Sequence, residues 1–579
     1  MKQENKIVQL FTPDGEQFLA SPPPIPWNVY PRPHLRRNSF LCLNGLWDFS
    51  AVTDREAPHY EEKILVPFVP ESPLSGIGRT MPDNATLCYR KTFSLPDGFS
   101  RGRVLLHVDA ADQIATVLLN GNILGMHRGG YDRFTLDITE TLEENNTLEI
   151  FVTDELENKI LPYGKQKKKR GGMWYTPISG IWQTVWLESV PEIYIKDISV
   201  KTTLSSVTVS LTMSDGSLAQ GDLVAGGTSL ALKNGQATVE IQDPMLWTPE
   251  NPHLYDLTLT VGEDEISSYF ALRTVTIQDK RLCLNGKPIF CHGLLDQGYF
   301  SDGIFLPAKP QGFEKDILFA KKMGFNMLRK HIKVESEQFY YDCDRLGMIV
   351  FQDMVNNSDY SFLRDTALPT VGILRRNDKC LHRDEETRNA FLDGMETTVQ
   401  KLSFHPSILV WTIFNEGWGQ FDHEAVYRRL KELDDTRPID STSGWFTSKK
   451  GKPCLTDFDS RHIYFKPVKL TMGEKALFLS EFGGYSYKIE GHSFNLKDNY
   501  GYRTFSDRKE FTDALEKLYL EEIVPAVKNG LSAAVYTQLS DIEDETNGLI
   551  TYDRRVEKVD EATMQKIAKQ LYDACKKEI

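Results

Sequence analysis

Short apolar runs separated by turn residues dominate the first half of the chain. Four such runs follow one another between residues 103 and 154: RVLLHVDA, ATVLLNGN, RFTLDIT and NTLEIFVTD. The pattern returns between residues 195 and 275 in SVTVSLTM, ATVEIQD and YDLTLTV. Closely spaced strands with turn residues between them are typical of antiparallel β-sandwiches. The pattern therefore predicts two sandwiches, the second smaller than the first.

After about residue 280 the pattern changes, because apolar runs now alternate with helix-like stretches. Between two of these runs Phe391, Met395, Val399 and Leu402 recur at helical spacing. The candidate strands are PIFCHG at 288–293, FNMLR at 325–329, MIVFQD at 348–353, ILVWTIFN at 408–415, PIDSTSG at 438–444, RHIYF at 461–465, ALFLSEFGG at 476–484 and AAVYTQ at 533–538. Eight strands in about 300 residues fit a (β/α)8 barrel, whose active site lies at the carboxyl ends of the strands.

Composition and charge indicate a folded protein without a nucleic-acid partner. The chain has 579 residues, of which 26% are charged and 40% hydrophobic, and its net charge of −14 repels phosphate. No apolar run approaches the roughly 18–20 residues that span a membrane, and MKQENKIVQLF lacks the apolar core of an export signal. The eight cysteines show no CxxC spacing, so we expect reduced thiols rather than zinc ligands or disulfides. These features predict a cytoplasmic protein.

Two glutamates close two of the predicted barrel strands. The fourth run ends in Asn415-Glu416, and the seventh contains Ser480-Glu481. A carboxylate at the end of an apolar strand is poorly solvated, which raises its pKa toward the range of a useful general acid. Glycoside hydrolysis needs two facing carboxylates, one to protonate the leaving oxygen and one to attack the anomeric carbon or activate water. From spacing alone, structural ion pairs remain an equal alternative.

The residues around both glutamates resemble a known enzyme family. The stretch 405–416, from His-Pro-Ser-Ile through Trp411 to Asn-Glu, is similar to the acid/base signature of glycoside hydrolase family 2, and SEFGG at 480–484 is similar to its nucleophile segment. Further similar segments are LNGLWDF at 43–49, VLLNGNILGMHRGGY at 117–131, WYTPISGIWQTVWLE at 174–188, LWTPENPHLYDL at 246–257 and LNGKPIFCHG at 284–293. The resemblance implies a jelly-roll sugar-binding β-sandwich at 1–192, an immunoglobulin-like β-sandwich at 193–277 and a catalytic TIM barrel at 278–579.

The same resemblance implies a retaining exo-β-glycosidase. Glu416 would be the general acid/base and Glu481 the nucleophile. Asn415 would hydrogen-bond the 2-hydroxyl group of the sugar, a contact that strengthens as the transition state forms. A strand-end cap is the alternative role for Asn415.

Other expected site residues lie at neighbouring strand ends. Arg329 resembles the arginine that orients the nucleophile, and Tyr464, seventeen residues before Glu481, resembles the tyrosine that hydrogen-bonds it. The remaining expected sugar contacts are His331, His462, Asp353 and Trp445. The alternatives are a salt bridge for Arg329, core packing for the tyrosine and structural roles for His331 and Trp445. Relatives usually carry their histidine three residues after the arginine, whereas His331 comes two after it.

Three departures from the family bear on the substrate. Family glucuronidases carry Asn-x-Lys where this chain has Glu545-Thr546-Asn547, and a glutamate there repels a uronate. The first-domain loop has Gly171-Gly172-Met173 where many relatives carry a glycone-binding aspartate, and the basic run 165–170 precedes it. That run is either a solvated loop or a contact for an anionic or polymeric aglycone. His331 stands where the mannosidase subgroup usually has tryptophan, which disfavours a mannosidase.

No metal or cofactor is expected. Magnesium-dependent relatives use an acidic pair after the third strand, where this chain has Gln352-Asp353, and glutamine is a poor ligand for a hard cation. We expect Asp353 to bond the sugar or a neighbouring side chain.

The leading hypothesis is a β-galactosidase acting on an oligosaccharide or glycoside, with homo-oligomers possible. β-Glucosidase, arabinopyranosidase and galactofuranosidase activities stay open, with glucuronidase and mannosidase less favoured. A noncatalytic carbohydrate-binding protein would have lost one of the glutamates, and both are present.

Overall fold

The computed structural model describes most of the chain. The described residues are 7–53, 57–370, 373, 375–376, 384–444, 447–448 and 455–576. No helix among them is both long and apolar enough to cross a membrane. The cysteines in these ranges are free, buried thiols, as expected, whereas Cys380 and Cys454 lie outside them.

The first β-sandwich consists of two antiparallel sheets that face each other across an apolar core. The larger sheet has the strand order Glu62–Val66, Gly45–Val52, Thr86–Phe93, Asn146–Thr153, Ile114–Leu119 and Asn122–Arg128. The smaller has the order Leu41–Cys42, Val185–Val190, Arg103–Val108 and Phe134–Asp137, and Ala111–Asp112 pairs with Gly180–Ile181 nearby. Trp47, Phe49 and Ile150 are at most 1% exposed in this core. All four predicted runs form strands here.

The second β-sandwich is smaller, as predicted. One sheet has the order Ile195–Thr202, Ser206–Met213 and Gln236–Glu240, and the other Thr228–Ala231, Asp222–Ala225, Tyr255–Val261 and Asp264–Phe270. Val209, Val239 and Leu259 are fully buried between the sheets. The strands Val275–Gln278, Arg281–Leu284 and Lys287–Pro288 then lead into the barrel. The domain limits at residues 192 and 277 stay predictions.

Eight parallel strands form a nearly closed barrel in the described part of the chain. They are β1 Cys291–Asp296, β2 Met327–Lys330, β3 Ile349–Asp353, β4 Ile408–Thr412, β5 Ile439–Asp440, β6 Phe458–Ile463, β7 Ala476–Gly483 and β8 Leu531–Thr537. The hydrogen-bonded order is β5-β4-β3-β2-β1-β8-β7-β6, so the sheet stays open only between β5 and β6. Each strand overlaps its predicted run. The prediction for β1 began three residues early, because Lys287–Pro288 pairs with Arg281–Leu284 instead.

Helices surround this barrel. The described α-helices are Pro13–Ala20, Gln311–Lys322, Glu337–Leu346, Leu368–Thr370, Glu385–Leu402, His423–Leu433, Arg508–Leu518, Val524–Lys528 and Glu561–Lys576, with wider π-helical turns at Leu363–Ala367 and Tyr519–Ile523. The helix Glu385–Leu402 buries Phe391, Met395, Val399 and Leu402, which confirms the predicted periodicity. Asp384 caps its first turn by accepting a hydrogen bond from the amide of Thr387.

A loop of the first sandwich, residues 163–176, lies across the carboxyl end of the barrel. On one side the amides of Tyr163 and Gly164 donate to the carbonyl of Asn356, at 3.0 and 3.3 Å. On the other side the amide of Thr176 donates to Oε1 of Glu543 at 2.8 Å. The loop is therefore held on both sides of the barrel mouth, and the first sandwich contributes to whatever site lies there.

Candidate active site

The two strand-end glutamates lie side by side at the barrel mouth, with His462 between them. Glu416 follows β4 in the short 3₁₀ turn Asn415–Gly417, and Glu481 lies on β7. Nδ1 of His462 lies 3.0 Å from Oε1 of Glu416, and Nε2 lies 3.6 Å from Oε1 of Glu481. One ligand atom from each of the three side chains lies within 4.8 Å of the others. The structure therefore brings together the two carboxylates that the sequence places at strand ends.

Local backbone geometry fixes both Glu416 and His462. Glu416 adopts the left-handed conformation with φ +50°, and its amide donates to the carbonyl of Ser443 at 2.9 Å. Gly444, with φ +96°, lies against the imidazole, because a Cβ atom there would be 2.3 Å from Cδ2 of His462. A larger residue at 444 would displace the ring from its place between the glutamates.

Arg329 connects three other predicted site residues. Its side chain at the end of β2 is fully buried. The guanidinium donates to Oε1 of Glu481 at 3.2 Å and to Oδ1 of Asn415 at 3.0 Å. Its Nε donates to Oδ1 of Asp353 at 3.0 Å. Arg329 therefore orients the carboxylates by charge-assisted bonds and turns the amide of Asn415 so that its NH2 end remains a donor.

The surroundings of Glu481 keep its carboxylate ionised. Burial alone would raise its pKa, but the charges of His462 and Arg329 lower the pKa well below the usual range for glutamate. The hydroxyl of Tyr464 donates to Oε2 of Glu481 and lowers the pKa further, and it also lies 3.2 Å from Oγ1 of Thr537. Glu481 therefore carries a negative charge at neutral pH.

His331 and Asp353 form a buried pair next to this cluster. Nδ1 of His331 lies 2.8 Å from Oδ2 of Asp353, and its amide donates to the carbonyl of Asp296 at 2.9 Å. Burial and the positive charge of Lys165 lower the pKa of His331 to about 4, so the ring is neutral at pH 7. The pair lies at the barrel mouth as the sequence predicts, and its contact with sugar stays a prediction.

Aromatic side chains surround the Glu416 side of the site. Trp174, from the loop of the first sandwich, stacks on Trp418 at 5.7 Å between ring centroids, and Tyr360 meets both rings edge-on. Tyr464 and Tyr502 stack at 4.2 Å. Flat apolar rings of this kind can pack against the faces of sugar or aryl groups. Trp445, the aromatic residue predicted from the sequence, lies outside the described residues.

Asp440 is a buried carboxylate that the sequence reasoning missed. It ends β5, and it accepts a hydrogen bond from Oγ of Ser460 at 2.9 Å. Burial raises the pKa of Asp440 to about 6, although the charge of Arg329 opposes this rise. Glu416 and Glu481 were selected because they are carboxylates near the ends of predicted barrel strands. Asp440 lies in the predicted strand PIDSTSG, so the same criterion could have selected it.

Two groups of described side chains have the atoms for a metal ion. One is Glu416, His462 and Glu481, and the other is the buried trio His34, Glu337 and His405. In the trio, Arg133 already lies 2.9 Å from Oε1 of Glu337, so the carboxylate has a cationic partner. The first group consists of the carboxylates that glycoside cleavage would use. Independence from metals stays a prediction.

Family models match three successive parts of the chain. Residues 275–467 match the TIM barrel domain of glycosyl hydrolases family 2, residues 193–273 match the model named for the family itself, and residues 79–177 match its galactose-binding domain-like model. The matched segments contain part of the first sandwich, the strands of the second sandwich and barrel strands β1 to β6, whereas β7 and β8 lie beyond them. This agrees with the architecture described above.

Curated relatives include both β-galactosidases and a β-glucuronidase. The chain is 23% identical to a β-galactosidase of Thermoanaerobacter pseudethanolicus, over 70% of this chain and 54% of the relative. It is 28% identical to a β-galactosidase of Aeromonas hydrophila, over 74% and 43%. A β-glucuronidase of Sus scrofa is 24% identical, over 69% and 67%. The chain spans about half the length of the curated β-galactosidases that it matches.

Solved structures share the fold along nearly their whole length. A β-D-glucuronidase of Dictyoglomus thermophilum superposes with a TM-score of 0.72 at 19% identity, covering 94% of this chain and 98% of that one. A β-galacturonidase of Eisenbergiella tayi gives 0.69 at 18% identity, covering 93% and 98%. At these identities the likeness concerns the fold alone. Together with the family models it confirms the predicted architecture, and the chain belongs to glycoside hydrolase family 2.

Proposed function

We propose that the protein is a retaining exo-β-glycosidase in which Glu481 attacks the anomeric carbon and Glu416 is the general acid and then the general base. The observation that carries this proposal is the closeness of the two glutamates. One carboxylate oxygen of each lies within 4.8 Å of the other and of a ring nitrogen of His462. Retaining enzymes hold their carboxyl groups about 5–5.5 Å apart, whereas inverting enzymes need a wider gap for water.

The division of roles follows from the charges around each carboxylate. Glu481 receives hydrogen bonds from Arg329 and Tyr464, which favour the ionised form that a nucleophile needs. Glu416 has no arginine or lysine within ion-pair distance in the described part of the chain. Its side chain is 12% exposed, which suits a group that must reach the leaving oxygen of a substrate. Asn415, with its NH2 end left as a donor, suits the 2-hydroxyl group.

An exo mode of action is supported by the loop of the first sandwich that lies across the barrel mouth. The loop 163–176 crosses it, and Trp174 of that loop packs on Trp418 beside Glu416. A pocket of this kind takes the end of a sugar chain rather than its middle. The substrate would therefore be a terminal, non-reducing β-linked sugar.

For the sugar itself we propose β-D-galactose. Two curated relatives are named β-galactosidases, and the segment Glu545-Thr546-Asn547 has no lysine where family glucuronidases carry one. β-Glucosides, α-L-arabinopyranosides and β-D-galactofuranosides are the neutral alternatives, whereas mannosides are disfavoured. A curated β-glucuronidase is 24% identical to this chain, whereas the solved β-glucuronidase and β-galacturonidase are under 20% identical and their likeness concerns the fold.

A panel of nitrophenyl glycosides tests this proposal, with the Glu481→Ala protein as the blank. Galactoside should be the best substrate, and proton NMR should show the β-anomer as the first product because double displacement retains configuration. A first-formed α-anomer would indicate inversion. Sugar binding without turnover would instead support a noncatalytic carbohydrate-binding protein.

A further inference from the structure

Lys165 is the first residue of the basic run in the loop that crosses the barrel mouth. Unlike its exposed neighbours Lys167 and Lys168, it is only 8% exposed. Its carbonyl accepts a hydrogen bond from the amide of Tyr175 at 3.1 Å, and its Nζ lies 5.7 Å from the centroid of the Tyr175 ring. The run is therefore not uniformly solvated, because its first lysine points inward.

The backbone on both sides of Lys165 is held against the catalytic barrel. At Gly164 an added Cβ atom would lie 3.0 Å from the carbonyl of Ile332, directly after His331. Arg170 lies 3.2 Å from Oδ1 of Asp544, next to Glu545. Lys165 is thus inserted between the segment that follows β2 and the segment that follows β8.

The charge of Lys165 acts on both of these segments. It lowers the pKa of His331 and opposes the rise that burial causes in the pKa of Glu545. Glu545 is 3% exposed and is held by a 2.8 Å hydrogen bond from Nε2 of Gln538, at the end of β8. His331 and Glu545 also interact electrostatically with Glu481, so Lys165 lies near the proposed nucleophile.

No carboxylate lies within ion-pair distance of the Lys165 ammonium group among the residues that the structure describes. A largely buried ammonium group loses much of its hydration, so it needs hydrogen-bond acceptors from another source. The site already holds the carboxylates of Glu416, Glu481, Asp353 and Glu545, which outnumber the cations Arg329 and Lys165. A further carboxylate on the sugar would add to this negative charge, whereas neutral hydroxyl groups would not.

We propose that Lys165 is a specificity-determining residue of the sugar subsite, where its ammonium group donates hydrogen bonds to hydroxyl groups of a neutral sugar. Glu545 accepts hydrogen bonds from the same sugar. Donor and acceptor come from two different domains, so the first sandwich takes part in choosing the substrate. This inference rests on the proposed β-glycosidase function.

The experiment compares Lys165→Met with Lys169→Met, a matched control on the exposed part of the same loop. The substrates are 4-nitrophenyl β-D-galactopyranoside and its 4-deoxy and 6-deoxy analogues. We expect Lys165→Met to lower kcat/KM on the galactoside by about 50-fold, and far less on the analogue that lacks the contacted hydroxyl. Lys169→Met should stay within about twofold of the wild type, since surface substitutions usually have small effects.

Other outcomes separate this inference from the proposed function. An equal loss on all three substrates, or no loss, would overturn the role of Lys165 while leaving the β-glycosidase proposal intact. A wild-type preference for 4-nitrophenyl β-D-glucuronide that Lys165→Met abolishes would mean that Lys165 contacts a carboxylate, which also overturns it. A wild-type protein that cleaves no glycoside would instead contradict the proposed function.

A second pair of variants guards against misfolding. If Lys165→Met does not fold by circular dichroism, Lys165→Arg and Glu545→Gln are assayed on the same substrates. Arginine keeps the charge but alters the donor geometry, and glutamine keeps an acceptor but removes the charge. We expect both variants to narrow the difference in kcat/KM between the galactoside and one deoxy analogue. An unchanged difference in both variants would overturn the proposal.

Discussion

Nδ1 of His462 lies 3.0 Å from Oε1 of Glu416, although 46 residues separate the two in the chain. The other ring nitrogen lies 3.6 Å from Oε1 of Glu481 and 3.3 Å from Oγ of Ser443. The sequence predicts a sugar-binding role for His462. Its contacts with both glutamates indicate that it also positions them.

The first prediction separates these two roles of His462. Replacing it by alanine removes the contact that holds Glu416, so kcat should fall by about 30-fold while KM changes by less than about threefold, because misplacing a reacting group mainly slows the chemical step. Steady-state kinetics on 4-nitrophenyl β-D-galactopyranoside measure both constants. A large rise in KM with kcat unchanged would show that His462 acts by binding the sugar.

The second prediction concerns the division of labour between the glutamates. Glu481→Ala should abolish turnover. Glu416→Ala should retain activity on a 2,4-dinitrophenyl glycoside, whose leaving group needs little protonation, and azide should raise its rate by trapping the glycosyl-enzyme. Rate measurements with and without azide test this, with Glu481→Ala as the control. If azide rescued Glu481→Ala and Glu416→Ala gave no β-glycosyl azide, the two glutamates would have the opposite roles.

The third prediction is a shift in pH dependence. The Tyr464 hydroxyl donates to Glu481 and lowers its pKa, so the carboxylate is ionised down to acidic pH. Tyr464→Phe removes this bond and raises the pKa of Glu481. The acidic limb of the kcat/KM profile should therefore move to higher pH by about one unit. Tyr502→Phe, which keeps the stacked ring, should leave that limb in place, and equal shifts in both variants would contradict this explanation.

The sequence predicted the barrel well because local pattern and strand ends carry the signal. Glu416 and Glu481 each follow an apolar run, and the carboxyl ends of parallel strands meet at one face of a barrel. Arg329 and Tyr464 were found through family resemblance, and the structure brings both into contact with Glu481.

The parts that the sequence did not predict depend on contacts between distant segments. The inward position of Lys165 requires a loop of the first sandwich to pack on residues after β2 and β8, which no local pattern encodes. The place of the His462 ring likewise depends on Gly444, which lies in another strand-end loop. Side-chain direction in such loops is set by packing, not by periodicity.

The fourth prediction concerns stability, at a buried ion cluster between the two sandwiches. Arg37 donates to Oδ1 of Asp264 at 2.8 Å and lies 3.2 Å from Oε2 of Glu188, and all three side chains are buried. Arg37→Met would leave two buried carboxylates with fewer partners, a change that costs about 3–5 kcal/mol. Calorimetry should show a fall in Tm of several degrees. Arg103→Met, which breaks exposed pairs with Asp137 and Glu192, should change Tm little, and similar shifts in the two variants would contradict this reasoning.

The last prediction is discrimination against uronides. A uronate brings a full negative charge into a site where the carboxylates of Glu416, Glu481, Asp353 and Glu545 outnumber the cations Arg329 and Lys165. A buried carboxylate without a cationic partner costs several kcal/mol. We therefore expect the enzyme to bind the transition state of a uronide more weakly than that of a neutral glycoside. We expect kcat/KM to be at least about 100-fold higher for 4-nitrophenyl β-D-galactoside than for the β-D-glucuronide, which corresponds to about 2.7 kcal/mol. The preference should change little between low and high salt, because buried charges are screened much less than exposed ones. A preference for the glucuronide would contradict the galactoside proposal and would assign Lys165 to the carboxylate of the sugar.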